Sequence, residues 1–406
     1  MKVLYSVQRY GSDIVGGSET ACREYAEHLV KRGHEVTVLT SCAKNYDNWR
    51  NDYSPGDSTI NGVRVHRLSV AAPQDTDFFH TLHPWMMQHH GSATLNQQSE
   101  WAQQIGPQLK GHEAWLAANV RNFDLAVFMT YLYTTTTTGL PLVAGIIPTI
   151  LQPTSHDEPD AYVSFFQTMF RQPDAFLFFT EEEKALVQRI YNINPFGDVA
   201  GIGVDTTQPL GNAERFRSKY KLGAAPYLIY VGRLDERKGV GELVAYFAEM
   251  KRRKPTDLRL VLVGDGSFDT DDYQGVVRVG FLNDEEKRDA IAGSIALVQP
   301  SHFESFSIVL CEAWLQKRVA LVQGGSTVLR GQAMRSGGAI PYEGFAEFET
   351  SVEFVMANPE SCQELGKNGH AFVSGMYNWD LVLDKFQKTA VIARDRFAQR
   401  RSSLQK

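Results

Sequence analysis

The stretch Pro300-Ser301-His302-Phe303-Glu304-Ser305-Phe306-Ser307-Ile308-Val309-Leu310-Cys311-Glu312-Ala313-Trp314 decides how this chain is read. It follows the apolar run Ile295-Ala296-Leu297-Val298, which predicts a buried parallel strand. Pro300 closes that strand, and the apolar spacing from Ile308 to Leu315 predicts a helix. A loop running from strand end to helix start is where open α/β sheets hold their ligands. Glu304 lies in the loop and Glu312 in the helix. Between them the backbone N–H groups of Ser307, Ile308 and Val309 stand at the positive end of the helix dipole, which favours an anion. A phosphate on the helix start, with a carboxylate on each side to accept from hydroxyl groups, describes a sugar nucleotide. The plainer alternative is that Glu304 caps the helix and Glu312 is solvated.

Outward from this stretch, the same alternation of apolar strand and amphipathic helix fills the chain. Lys2 to Val7 reads as a strand, followed by a loop with Gly11, Gly16 and Gly17, a helix from Ser18 to Lys31 and a strand from Glu35 to Thr40. The G-x-G-x-x-G dinucleotide fingerprint is absent, so Gly16 and Gly17 either make the turn or let a ligand approach the backbone. Further strands are expected at Val63 to Leu68, Asp124 to Met129, Pro148 to Leu151 and Ala175 to Phe179. A long helical region spans Asn96 to Val120, interrupted near Gly106-Pro107, and Asn45 to Gly62 reads as a polar surface excursion. Thr180-Glu181-Glu182-Glu183 has the form of a capping box. After the linker Gly201-Ile202-Gly203-Val204-Asp205 the pattern restarts, with strands at Tyr227 to Val231, Arg259 to Val263 and Val276 to Val279 and a helix from Gly239 to Arg252. These predict two Rossmann-like α/β domains, 1–207 and 208–378, followed by a last helix at about 379–406.

Three further places carry chemistry. In Gly232-Arg233-Leu234-Asp235-Glu236-Arg237-Lys238-Gly239, between a strand and a helix, Arg233 offers a planar fork and Lys238 a point charge, together suited to a diphosphate. His156, in Gln152-Pro153-Thr154-Ser155-His156-Asp157-Glu158, stands at a strand's carboxyl end among carboxylates, a place for chemistry rather than packing. Val263-Gly264-Asp265-Gly266 ends a strand with small residues that would border a nucleotide. Asp269-Thr270-Asp271 mimics a metal-binding D-x-D motif but follows no strand. His83, His89 and His90 lack partners at metal spacing. No metal is expected at either place.

Composition limits the function classes. A hydrophobic fraction of 43% and a charged fraction of 22% over 406 residues suit a globular enzyme with a substantial core. A net charge of −6 argues against a nucleic-acid binder. Cys22, Cys42, Cys311 and Cys362 are scattered without metal spacing, as expected of reduced thiols in the cytoplasm. Met1 to Tyr5 runs directly into a strand, so no signal peptide is expected, and the apolar stretch Gly139 to Leu151 is too short to span a bilayer. The basic segment from Arg394 to Lys406 reads as a frayed, solvated tail, with a membrane-attracting patch as the alternative.

Glu304 and Glu312 with Phe306 between them resemble the paired-glutamate motif of the retaining GT-B glycosyltransferases of family four. One departure is Ser307, where the motif usually has Gly. The loop from Gly232 to Gly239 is similar to that family's diphosphate clamp, and Gly16-Gly17-Ser18-Glu19 to its N-terminal glycine loop. The resemblance implies a GT-B fold, two Rossmann-like domains facing across a deep cleft, acceptor in the first and donor in the second, with the last helix at about 379–406 crossing back to complete the first. It implies no cofactor and no metal, only a nucleoside-diphosphate sugar as co-substrate: a UDP- or GDP-sugar, with UDP-glucose favoured. By resemblance Arg233, Lys238 and the helix start at Ser307, Ile308 and Val309 favour the departing diphosphate. Glu304 accepts from the sugar, Glu312 from the ribose, and His156 holds an outer sugar hydroxyl. Gly16, Gly17, Gly264 and the backbone at Phe281 and Leu282 complete the donor site. The acceptor would be a saccharide or lipid-linked saccharide, with peripheral membrane association left open. A sugar-nucleotide epimerase, a phosphorylase and a non-catalytic sugar-nucleotide binder are the alternatives on the same fold.

Overall fold

The computed structural model describes residues 1–46, 48–269 and 273–404. It divides into two compact units, Met1–Gly203 with Trp379–Lys406, and Val204–Asn378. The change of unit therefore falls at Gly203, four residues before the boundary expected at 207.

The first unit is built on an eight-stranded sheet of β1 (Lys2–Ser6), β2 (Glu35–Ser41), β3 (Gly56–Ile60), β4 (Val63–Leu68), β5 (Leu125–Met129), β6 (Thr149–Gln152), β7 (Ala175–Phe178) and β8 (Gly197–Val199), in the order β3-β4-β2-β1-β5-β6-β7-β8. All pairings are parallel except β3 with β4. The central strands are short apolar runs buried along almost their whole length, as a sheet covered on both faces requires. Strand β3 corrects the reading of residues 45–62 as a surface excursion: Asn61 and Gly62 both take left-handed φ, +47° and +82°, and turn the chain into an antiparallel edge hairpin. The helical region beyond β4 breaks into Leu95–Ile105 and His112–Asn119, followed by a 3₁₀ turn at Val120–Asn122.

The C-terminal helix Trp379–Leu404 belongs to this first unit. Trp379 stacks on His28 at 4.0 Å and meets Tyr25 edge-on at 5.4 Å, both from helix Gly17–Lys31. Gly203 makes room for that indole, since a Cβ there would stand 2.2 Å from the ring. Arg32 ties the helix start through Asp380 and Asp384. The far end is held as well, which overturns the frayed-tail reading. Arg400 pairs at 3.0 Å with the buried Asp174, and Arg396 lies 3.4 Å over the Phe196 ring. Among the described residues no helix is long and apolar enough to cross a membrane.

The second unit has six parallel strands, β9 (Tyr227–Val231), β10 (Arg259–Val263), β11 (Val276–Gly280), β12 (Ala296–Gln299), β13 (Ala320–Gln323) and β14 (Ala339–Tyr342), in the order β11-β10-β9-β12-β13-β14. Strands β9 and β12 are neighbours although far apart in sequence. They form the point where the winding reverses, and a ligand site is expected at their carboxyl ends.

Candidate active site

That reversal brings the two charged loops of the second unit together. Gly239, at φ +74°, lies so close to the Pro300 carbonyl that a Cβ would meet its oxygen at 2.5 Å, so the loop after β9 rests on the loop after β12. Lys238 Nζ consequently donates to Glu304 Oε1 at 2.9 Å, with the Glu304 side chain 11% exposed. Arg233, from the same loop, sits 3.0 Å from Asp235, whose carboxylate also accepts from the Arg237 N–H and shapes the turn. The buried Tyr230 hydroxyl donates to the Arg233 carbonyl and pins the loop from below.

Helix Ile308–Leu315 begins without a side-chain cap. Its N-cap residue Ser307 has φ +69° and ψ +79°, a left-handed conformation that explains why glycine is usual here. The serine has its own compensation: its hydroxyl accepts from the buried Gln299 amide at 3.0 Å. Those two effects predict an ordering of variants. Ser307→Ala keeps the strain and leaves the Gln299 amide unpaired, a loss of about 1–3 kcal/mol. Ser307→Gly loses the bond but removes left-handed strain of about 1–2 kcal/mol. Urea unfolding should therefore find the glycine variant more stable than the alanine variant; the reverse order would contradict this account of Ser307.

Glu312, further along the same helix, accepts from Lys287 Nζ at 2.6 Å. Burial opposes the Lys287 charge, but Glu312 and Asp284 outweigh it and carry the lysine above its ordinary pKa. Lys287 was not read from the sequence as a site residue. Beyond β10, Gly264 has φ +129° and its Cβ would meet the Gly232 carbonyl oxygen at 2.0 Å, so its first duty is the contact between adjoining loops. Phe281 and Leu282, after β11, part company: Phe281 is 62% exposed, whereas Leu282 is buried and offers only its backbone.

The other expected residues lie in the first unit. Gly16 is the N-cap of helix Gly17–Lys31, and a Cβ there would stand 2.3 Å from a Glu19 carboxylate oxygen; the space around Gly17 is open. Glu19 is itself buried against Arg9 at 2.5 Å and accepts from Gln8 at 2.9 Å. His156 follows β6, 30% exposed, with Nδ1 3.4 Å from Glu158. The turn before it is unusual because Thr154 has φ +53°.

The cap expected at Thr180 is present, and Glu183 does more than serve it. Thr180 Oγ1 accepts from the Glu183 N–H, and the Glu183 carboxylate takes the N–H of Phe179 at 2.7 Å and of Ser155 at 2.8 Å. Of the two sequences considered for metal, His83 accepts from the Trp101 indole at 3.2 Å. His89 contacts the Trp85 carbonyl at 2.8 Å. No cluster of three or more potential ligands occurs among the described residues. Thr270 and Asp271 of the D-x-D sequence lie outside the described residues.

Two doubly wound units, the second with its charged loops gathered at the reversal of strand order, have the architecture of the GT-B class. Sequence comparison agrees: residues 225–335 match the family described as glycosyl transferases group 1, and residues 16–195 the glycosyl transferase 4-like domain. The chain belongs to this glycosyltransferase family. It is 23% identical to a glycogen synthase of Mycobacterium tuberculosis, over 94% of this chain and 92% of that one. Among solved structures, sucrose-phosphate synthase from Thermosynechococcus elongatus superposes with a TM-score of 0.70 at 19% identity, covering 98% of this chain and 99% of the other. Anabaena Alr3699/HepE in complex with UDP-glucose gives 0.65 at 15% identity, covering 99% and 100%.

Proposed function

We propose that the protein transfers a sugar from a nucleoside-diphosphate sugar, UDP-glucose before others, to a hydroxyl of a saccharide or glycoconjugate, with retention of configuration and without a metal. The observation that carries this is the Lys238–Glu304 hydrogen bond beside the uncapped start of helix Ile308–Leu315. One small region holds a cation for a diphosphate, backbone donors for its oxygens and a carboxylate for sugar hydroxyls. Cleavage of the sugar–phosphate bond leaves positive charge on the sugar and negative charge on the diphosphate, and fixed groups of opposite sign stabilise both. Lys238 and Arg233 serve the leaving diphosphate, Glu304 the transferred sugar and Glu312 the ribose. The exposed Phe281 ring is the surface available to the base. His156 holds a hydroxyl of the sugar. The second unit is thus the donor unit and the first the acceptor unit, and we place the reaction in the cytoplasm.

The choice of UDP-glucose draws on the Anabaena structure, and a saccharide acceptor on the glycogen synthase. A thermal-shift screen of nucleotide sugars in EDTA, followed by transfer assays, tests both choices. A donor at about a hundred times its Kd stabilises the folded state by about 2.7 kcal/mol, a shift of several degrees in Tm. UDP-glucose should give the largest shift, and the purified protein should then transfer glucose with EDTA present. Absence of stabilisation by any nucleotide sugar would sink the proposal. Activity lost in EDTA and restored by Mg²⁺ or Mn²⁺ would sink its metal-free part.

A further inference from the structure

Glu183 is a buried carboxyl group that the mechanism above does not use. It is 1% exposed, and among the described residues no Lys or Arg pairs with it. Its two oxygens instead accept from the backbone N–H of Phe179, where β7 ends, and of Ser155, the residue before His156. The Thr154 backbone also acts on it as a hydrogen-bond donor. Thr154, at φ +53°, is in a conformation that a non-glycine residue keeps only when its surroundings hold it. The same helix, Glu181–Tyr191, grips the loop again through Arg189 and Asp157 at 2.7 Å. The stretch that presents His156 is therefore fastened from one helix on both sides of the histidine.

We propose that Glu183 is the positioning residue of His156: its ionised carboxylate holds the Thr154–Ser155 backbone in the turn that aims the imidazole. This rests on the role given to His156 above. The carboxylate accepts strongly on both oxygens at once. Protonation turns one oxygen into a hydroxyl, a donor with only weak remaining acceptor capacity, so one of the two anchors is weakened.

The titratable groups that act on Glu183, or feel its charge, include His156 from the loop after β6 and Tyr25 from helix Gly17–Lys31. Burial pushes the Glu183 pKa up to about 7, against the lowering effect of the Phe179 and Ser155 donors and of His156. The protonated form is therefore favoured by folding, and its stabilising contribution is lost as pH rises through about 7. Function makes the opposite demand, since both anchors are at full strength only above that pH. Transfer should weaken as pH falls through about 7, while the fold becomes more stable.

The test uses the full chain. The amide protons of Ser155 and Phe179, followed by NMR, should titrate together with one midpoint near 7. That step should disappear in Glu183→Gln and persist in His156→Gln. In Glu183→Gln, kcat should fall at least tenfold with donor KM nearly unchanged, and the fall of kcat below pH 7 should vanish. If that variant fails to fold, the wild-type amide titration decides alone. Amides insensitive between pH 5.5 and 8.5, or a folded Glu183→Gln with wild-type kcat and pH profile, would overturn the proposal. The NMR result needs no donor, so a wild type that transfers no sugar would count against the proposed function without touching this measurement.

Discussion

Glu304→Gln should lower kcat by roughly 10²–10³-fold, the scale seen when one preorganised electrostatic group is lost from a reacting centre. The side chain is nearly buried, its charge is balanced by Lys238, and the amide that replaces it has the same shape but no charge. A sugar that gains positive charge on the way to the transition state loses a stabilisation larger there than in the ground state, which is a kcat effect. Affinity for bare UDP should be nearly unchanged, because Lys238 becomes wholly available to the diphosphate. Glu312→Gln provides the contrast. Its carboxylate is assigned to a ribose that is the same before and after transfer, so donor KM and UDP affinity should suffer while kcat survives. Measuring kcat, donor KM and UDP affinity in both variants separates the roles; equal weakening of UDP in both would show the two carboxylates wrongly assigned.

What the sequence made legible followed from how each element is stabilised. Strands β1, β5, β9 and β10 are apolar runs closed by turn residues, and burial on both faces leaves that pattern little freedom. Of the strands not read, β3, β8 and β14 lack that pattern, whereas β13 (Ala320–Gln323) has it, a fully buried apolar run, and was passed over all the same. Strand β3 (Gly56–Ile60) is a half-exposed polar edge strand, for which the only local signal was the Asn61-Gly62 turn. Strand β8 is three half-buried residues, and β14 carries Pro341, tolerated because β14 is an edge.

The site followed the same rule. The residues of the paired-glutamate motif and of the loop after β9 could be picked out, because each is local in sequence. Their pairing could not, since Lys238 meets Glu304 only through the adjacency of β9 and β12, which the sequence order does not reveal. Lys287 against Glu312 and Glu183 against Ser155 are non-local in the same way. For Glu183 the local signal pointed to a cap, and nothing local announced that its carboxylate also takes the N–H of Ser155 from the loop after β6.

The Lys238–Glu304 contact permits a sharper test than either residue alone. Lys238→Ala should reduce kcat at least about tenfold, since it removes a cation whose value rises as the diphosphate departs. It also strands the Glu304 carboxylate, nearly buried, without its partner. An unpaired charge there shifts towards protonation or turns to other donors, so the single variant loses part of the Glu304 contribution as well. The double variant Lys238→Ala/Glu304→Gln should then lose less than the product of the two single losses, with a coupling energy of about 1–3 kcal/mol in the barrier. Additive losses would mean that the two groups act independently, and that the hydrogen bond belongs only to the donor-free protein. The cycle is decided by single-turnover rates at saturating donor, which report the chemical step without product release.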